Sequence, residues 1–500
     1  MTRNYLADYN LFAISANLKE TALNTEQTLD TLLRISKANI IEADLRSESN
    51  ADELTGREEP DRLYNLGYLL GKTIEFPKAQ PQHFAIGYCF GLGSSTPTPW
   101  GTGFKHLATP TSDMLLPGFT AAMKLGMEIE KRRHASIFID TLTSTWAKDS
   151  WAKLSLALKG TGKWTSNIYE ETLTEAFNAI SLTLAANGVQ GATPAARLDN
   201  VHHARVLVPN SGEYQDVVVT IVSGATPAVL TINSPATAVP IEGLSKAAAC
   251  VVTWVGHGLV STDKVTISGI TQAEWSALNA EHIITFIGVD SFSIPVDTSG
   301  YALVYDPVTD PGTIIESTDT SHKLLYVPTE PAWCTFPSYV EEPPLRVTDV
   351  VMRIGGKWNG TTFLGGHLVE SEVNSVEHVL NNQMLIEFRI GGTGDYANFA
   401  IRQGRIQTLK LDRQLRDWIL NNLMDKNEYI GIYMKATGDE FETGKNYYVE
   451  TVFPKCGILK ADLKVDGKIL GQAGDLQVLE DATYGSVRAE IANQVATYAA

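Results

Sequence analysis

Apolar and polar positions alternate along most of this chain in short runs that end at glycine, proline, asparagine or serine. Such runs read as strands and turns. The pattern is clearest beyond residue 340. LRVTDVVMRIGGKWNGTTF predicts a hairpin: Val347, Val350, Met352 and Ile354 are strand residues, and Gly355-Gly356 or Asn359-Gly360 supplies the turn. HLVESEVNSVEHVL predicts one long strand or two, LIEFRIGGTG closes on a glycine-rich turn, and NFAIRQGRIQTLKL predicts another strand pair. YIGIYMKA, NYYVETVF, GILKADLKV and SVRAEIANQVATYA complete the strands. One helix interrupts them. Across Asp412–Asp425, Leu411, Leu415, Trp418, Ile419 and Leu423 fall on one helical face, with Asp412 placed to cap.

The first part of the chain is less regular. Residues 42–60, EADLRSESNADELTGREEP, have no periodicity and predict a long exposed loop or arm. KTIEFPKAQPQHFAIGYCFGLGSSTPTPWGTG mixes short strands with Pro/Gly turns. Pro117–Glu130 is helix-like, although Gly118 and Gly126 weaken that reading. VHHARVLVPN, QDVVVTIVSG and TPAVLTINSP predict three further strands.

Residues 246–313 stand apart as a self-contained β module. Its short β-branched runs alternate with turns at Gly256-His257-Gly258, Ser261-Thr262-Asp263, Ser268-Gly269 and Ser299-Gly300. The chain therefore divides into 1–180, 181–245, the module at 246–315, a linker at 316–339, and 340–500. The class is mostly β or α+β, a sandwich-like core with a helix covering one end or face. Residues 135–162 faintly echo 367–394: each has a β-rich run carrying an acid (Asp140, Glu372), a Ser/Thr-rich middle and a closing Gly-Thr-Gly. Duplication of one core and shared strand grammar are both open on this pattern.

Length and charge narrow the functional classes. A chain of 500 residues exceeds one core. It has 57 acidic and 40 basic residues, a net charge of −17, and no basic run, which disfavours gripping nucleic acid. Cys89, Cys250, Cys334 and Cys456 are far apart and have no metal-binding spacing, so they are expected to be reduced core residues. The N-terminus carries no secretory pattern, and no apolar run is long enough for a membrane span.

Catalytic signals are absent. The glycine-rich loops at Gly91, Gly160 and Gly391 lack phosphate-loop spacing. His202-His203 would point to opposite faces of a strand, which is unsuited to a shared metal. Glu370 and Glu372 would lie roughly 6.6 Å apart on one strand face, a separation that suits an inverting glycosidase. No aromatic sugar platform adjoins them, so a solvated acidic face is the better reading. No cofactor is called for.

Two stretches carry a resemblance to known families. The segment VVTWVGHGLVSTDKVTISGITQAEWSALNAEHIITFIGVDSFSIPVDTSGY resembles a small β-barrel domain, named after the first-catalytic-cysteine half-domain of ubiquitin-activating enzymes, that recurs as an insert in phage structural proteins. His257–Leu259, Asp263–Gly269, Asn279, Asp290–Ile294 and Tyr301 carry the likeness. Cys250 is not placed as a nucleophile. The flanks are similar to tail tube proteins of long-tailed bacteriophages, through LTGREEPDRLYNLGYLLGKTIEF and the order of elements in 345–495 that closes through FPKCGILKADLKVDGKIL.

This second likeness implies a β-sandwich core, with the duplication open, that carries an inserted β-barrel or Ig-like module facing outward. It implies rings of three copies with pseudo-sixfold symmetry, or of six copies, stacked into a tube in the virion after assembly in the host cytoplasm. Tape-measure and terminator proteins would be partners, and DNA would pass through without specific binding. Asp140, Glu370 and Glu372 are the candidate lumen-facing acids. Glu42, Asp44, Glu48, Asp52, Glu53, Glu58 and Glu59 would belong to an inter-ring loop. The rival readings are a receptor- or glycan-binding fibre protein and, further off, a glycan-degrading tail enzyme.

Overall fold

A computed structural model describes residues 7–53, 57–126, 130–172, 181–184, 205–207, 214–216, 219–223, 228–232, 238–316, 323–326, 332–369, 371–392 and 394–500. The chain forms two compact units. One joins residues 1–165 to 335–500, and the other is 166–334. Both are β-rich, and the described residues include two α-helices.

Fourteen strands of the larger unit fall into two sets of seven. The first set is β1 (Leu11–Ile14), β2 (Thr31–Leu33), β3 (Asp44–Ser49), β4 (Leu63–Phe76), β5 (Phe119–Leu125), β6 (Glu130–Ala147) and β7 (Lys153–Gly160). Helix α1 (Pro81–Leu92) lies between β4 and β5. The second set is β8 (Val350–Trp358), β9 (His367–Val369), β10 (Val373–Asn381), β11 (Ile406–Gln414), β12 (Ile430–Glu442), β13 (Lys445–Asp466) and β14 (Ile469–Val478). Helix α2 (Ile419–Asp425) lies between β11 and β12. Pairing in the first set runs β2-β1-β5-β6-β7-β4-β3. Pairing in the second runs β9-β8-β12-β13-β14-β11-β10. Each strand of the first set thus has its counterpart seven strands later, so the unit is a duplicated fold.

The correspondence extends to register. Phe12 pairs with Leu33 and Met123, while Met352 pairs with Val369 and Met434. Met123 sits opposite Arg132, and Met434 opposite Thr451. The bulge between Ile139 and Thr141 in β6 recurs between Ile458 and Lys460 in β13. Residue 132 of β6 therefore matches 451 of β13, and residue 139 matches 458. The match brings 135–162 onto 454–480 and not onto 367–394. The sequence echo between 135–162 and 367–394 therefore does not follow the repeat: β6 and β7 correspond to β13 and β14.

Three further expectations are corrected. Pro117–Glu130 holds no helix among its described residues: Phe119–Leu125 is the extended β5, and its first five residues are buried, so no second face exists to reveal a period of two. Asp412–Asp425 is not one helix. Gln407, Leu409, Leu411 and Arg413 alternate into the interior from β11, and α2 begins only at Ile419, whose amide donates to Asp417 Oδ1 at 2.9 Å. Residues 42–60 are partly strand. β3 pairs with the outer half of β4 as a hairpin arm that is exposed at 44–48 and 63–66 and covered at Gly67.

Helix α1 went unpredicted. All twelve of its residues are buried, so it has no polar face to mark its period. Pro81 starts it, Gln82 N–H donates to buried Glu342 at 2.7 Å, and Gly93 ends it at φ +89°.

The turn after β8 comes from Asn359-Gly360, since Gly355-Gly356 lies within the strand. In the smaller unit, residues 238–316 form two four-stranded sheets around Cys250, Trp275 and Phe292. Its first strand, Val239–Pro240, pairs with its last, Thr313–Glu316. His257 there is a turn brace. Its Nδ1 accepts the Leu259 amide at 3.0 Å, and its Nε2 lies 2.8 Å from Gly288 O. Asn279 similarly braces Ile270 through both backbone groups.

Candidate functional site

The two halves meet along one antiparallel seam. β10, at the edge of the second half's pairing order, pairs with the C-terminal part of β6 from Ser375↔Ala147 to Asn381↔Thr141. The edge of one repeat is thereby sewn to the middle of the other. Behind the seam, α1 supplies Phe84, which stacks on Trp146 at 5.4 Å, and Tyr88, whose hydroxyl lies 3.1 Å from His378 Nδ1. Gln407 Oε1 lies 3.2 Å from His378 Nε2. An Nε2–H tautomer therefore donates to Gln407 and leaves Nδ1 to accept from Tyr88. Asn382 ends the seam by donating to Gly91 O at 2.9 Å and Ile139 O at 3.0 Å.

Two outer stretches of this paired array have no further strand partner among the described residues, although Asn421 Nδ2 donates to Ala461 O at 3.1 Å beside one of them. β3 has β4 on one side and, among the described residues, no strand on the other. Residues 457–466 of β13 pair only with β14. Their counterparts in β6 are flanked on both sides, by β7 and by β10. Exposed apolar side chains mark these edges: Ile40 and Leu45 at the first, Leu463 and Val465 at the second.

Of the expected lumen acids, Asp140 and Glu372 do not lie on a solvated face. Asp140 is the bulge residue of β6. Its carboxylate is largely buried, accepts the Met384 amide at 2.7 Å and lies 3.2 Å from Lys159 Nζ. Glu372 is buried beside Arg413, with Oε2 3.7 Å from Nη1, and its Oε1 lies 3.3 Å from His367 Nε2. Neither presents a free charge, because each is held by a cation on an adjoining strand. Glu370 lies outside the described residues.

The loop acids are exposed. Glu42 pairs with Arg132, Asp44 with Lys72 at 2.7 Å, and Glu53 accepts from Tyr64. Glu48, Asp52, Glu58 and Glu59 are exposed on the arm. Asn50 holds the neck of the arm by accepting the amides of Asp61 and Arg62. Leu63, Tyr64 and Leu66 leave the arm partly apolar.

Sequence reasoning missed the cluster around Arg413. His367, Glu372 and Asp417 bring ligand-type atoms within 4.8 Å of one another. A guanidinium already occupies the position of positive charge there. Arg413 is 2% exposed, reaches Asp417 Oδ1 at 2.8 Å and donates to Gln472 at 2.9 Å. Burial works to raise the Asp417 carboxyl, but the Arg413 bond and the Ile419 amide outweigh it and hold the pKa below its ordinary value. The cluster is a charge-compensated brace between β10, β11 and α2.

The cysteines are free and buried, and burial pushes the Cys89 and Cys456 thiols up to about 12. Such thiols are poor nucleophiles. His202-His203 lies outside the described residues. Of the glycine-rich segments, Gly91 lies in the last turn of α1, Gly160 ends β7 and Gly391 lies in a turn. Among the described residues, no helix is long and apolar enough to cross a membrane. Compared with known proteins, the sequence matches no family model and no curated protein.

Proposed function

We propose that this chain is a structural, self-associating protein whose copies join into rings, and that the rings stack into a tube serving as a phage tail conduit for DNA. One observation carries the reading. Two like repeats are joined head to tail within one chain, and the same two kinds of edge are left open at the ends. An open head-to-tail array of repeats either closes into a ring or grows without limit. A closed ring removes the edges that make exposed strands a liability.

Other features fit. The outer part of the arm, 44–48 and 63–66, is exposed and partly apolar, as a segment reaching an adjacent ring would be. The net charge of −17 favours a wall from which a polyanion slides rather than one to which it sticks.

Electron microscopy of the purified chain tests the reading. Hollow rings or tubes with a constant lumen are expected. A monodisperse monomer that never polymerises, or solid spikes without a lumen, would overturn it in favour of a fibre-like binding protein.

A further inference from the structure

We infer that the ring contact is a strand pairing between two copies of this chain, residues 39–44 of one against 460–465 of the next, in the register of the internal seam. This rests on the ring reading and adds the partner strands and their alignment.

The register follows from the duplication. Residue 141 of β6 matches 460 of β13, and the match continues to 146 and 465 without another bulge. On the other strand, β11 opposite β14 matches β4 opposite β7, with Arg413↔Gln472 corresponding to Phe76↔Leu154. Carrying that match across to the next strand places Asn381 on Asp44 and His378 on Ile41. Residues 40–44 alternate exposed and buried, with Ile41 and Ala43 inward, in phase with buried His378 and Leu380. They already have the side-chain alternation of a strand.

Transferring the seam then sets Asp44 opposite Lys460, Ala43 opposite Ala461 and Ile41 opposite Leu463 in the neighbouring copy. The inward pairs are apolar. Asp44, which pairs with Lys72 in its own copy, comes to face Lys460, which pairs with Asp462 at 2.8 Å in its own, while Glu42 falls opposite Asp462 and keeps Arg132.

Burial at matched positions identifies the occupant. Ser144 and Trp146 are 0% and 2% exposed inside the internal seam, whereas their counterparts Leu463 and Val465 are 49% and 72% exposed. Asn382 is buried, and its counterpart Leu45 is 43% exposed. Positions that the fold buries in one repeat are apolar and open in the other. A second copy supplies the one surface already known to fit, because the same fold covers those positions within the chain. Residues Leu11, Phe12, Leu33, Ser36 and Met123 line a cavity of about 170 Å³ on the first repeat. Its counterpart on the second repeat, about 490 Å³, is lined in part by Trp146 from the first. Val465 of the neighbour takes the Trp146 place.

Paired strand residues have Cα atoms about 4.5–5.5 Å apart, within disulfide reach. The test is the double variant Asp44→Cys/Lys460→Cys, mildly oxidised after assembly. A ladder of covalent multimers ending at the ring size is expected. The offset control Asp44→Cys/Asp466→Cys, displaced by roughly 20 Å along the strand, should cross-link at least tenfold less. Assembled rings that cross-link in the control but not in the matched pair would overturn this register while leaving the ring reading intact. Cross-linked closed rings that never stack would uphold the pairing and overturn the tube. A second variant, Leu463→Asp/Val465→Asp, should remain a folded monomer by circular dichroism and lose assembly. Assembly at the wild-type level would overturn the inference.

Discussion

Trp146 and Val465 occupy the same position in two copies of one fold, yet Trp146 is 2% exposed and Val465 is 72% exposed. The difference lies in what each meets. Trp146 is roofed by Phe84 of α1 and borders β10 of the other repeat, while the stretch 457–466 around Val465 has, among the described residues, no strand partner but β14. Truncating them should separate stability from association. Trp146→Ala should lower unfolding free energy by about 3–5 kcal/mol. Val465→Ala should change that of the monomer by under about 0.5 kcal/mol. Denaturant unfolding at low protein concentration checks both.

Arg413 is a buried cation between two carboxylates. Replacing it with Met leaves Glu372 and Asp417 facing each other without compensation. We expect a loss of about 3 kcal/mol, read by the shift in denaturation midpoint. Arg413→Met combined with Glu372→Gln and Asp417→Asn should recover most of it. No recovery would show that the cluster stabilises through something other than charge.

Three buried histidines set an acid limit. Burial holds His83 at about 3 and both His134 and His378 at about 4, against an ordinary 6.5, with the Arg132 charge contributing at His134. The unfolded chain binds these protons first as pH falls. Stability should therefore decline below about pH 6.5, and each site contributes on the order of 3 kcal/mol by pH 4. Melting temperature measured against pH should show the decline, and His378→Gln should make it shallower.

Glu342 acts in the other direction. Burial raises its carboxyl to about 8, partly offset by the Gln82 amide that it accepts. Its neutral form is favoured in the fold, while the unfolded chain ionises near 4.5. This term is fully present below pH 4.5, is lost as pH rises to about 8, and is flat above that. Glu342→Gln should be more stable than the parent at pH 9, by a few kcal/mol in order of magnitude, and little different at pH 4.5. Equal stability at pH 9 would rule out a neutral buried carboxyl.

The β module should fold alone. Its first and last strands pair with each other, and a core around Cys250, Trp275 and Phe292 closes within residues 238–316. The excised segment should melt cooperatively, with Trp275 fluorescence reporting the transition. A broad, non-cooperative melt would contradict this.

How much was legible in the sequence depends on which faces water reaches. Strands with one wet face, such as Val373–Asn381 and Lys153–Gly160, alternate visibly and carry the β class. Helix α1 and strand β5 are buried too completely to show a period. Leu411, Leu415, Trp418, Ile419 and Leu423 fit a helical face by spacing, but neighbours on both sides hold the first of them in a ladder. The duplication was legible only as a misplaced echo. Between 132–147 and 451–466, Ile139 and Ile458 are the sole identical pair.

Local pattern and residue count alone carry the β-rich class and the acidic balance. The tertiary structure decided the rest. Asp140 and Glu372 became buried partners of cations, Arg413 became the centre of a cluster, and two stretches with almost no shared residues became one fold used twice. Backbone pairing can repeat a fold with very different side chains, because ladder hydrogen bonds are blind to residue type while burial asks only for apolar volume. Which strand edges remain open is likewise a property of the whole sheet, and no stretch of sequence carries it alone.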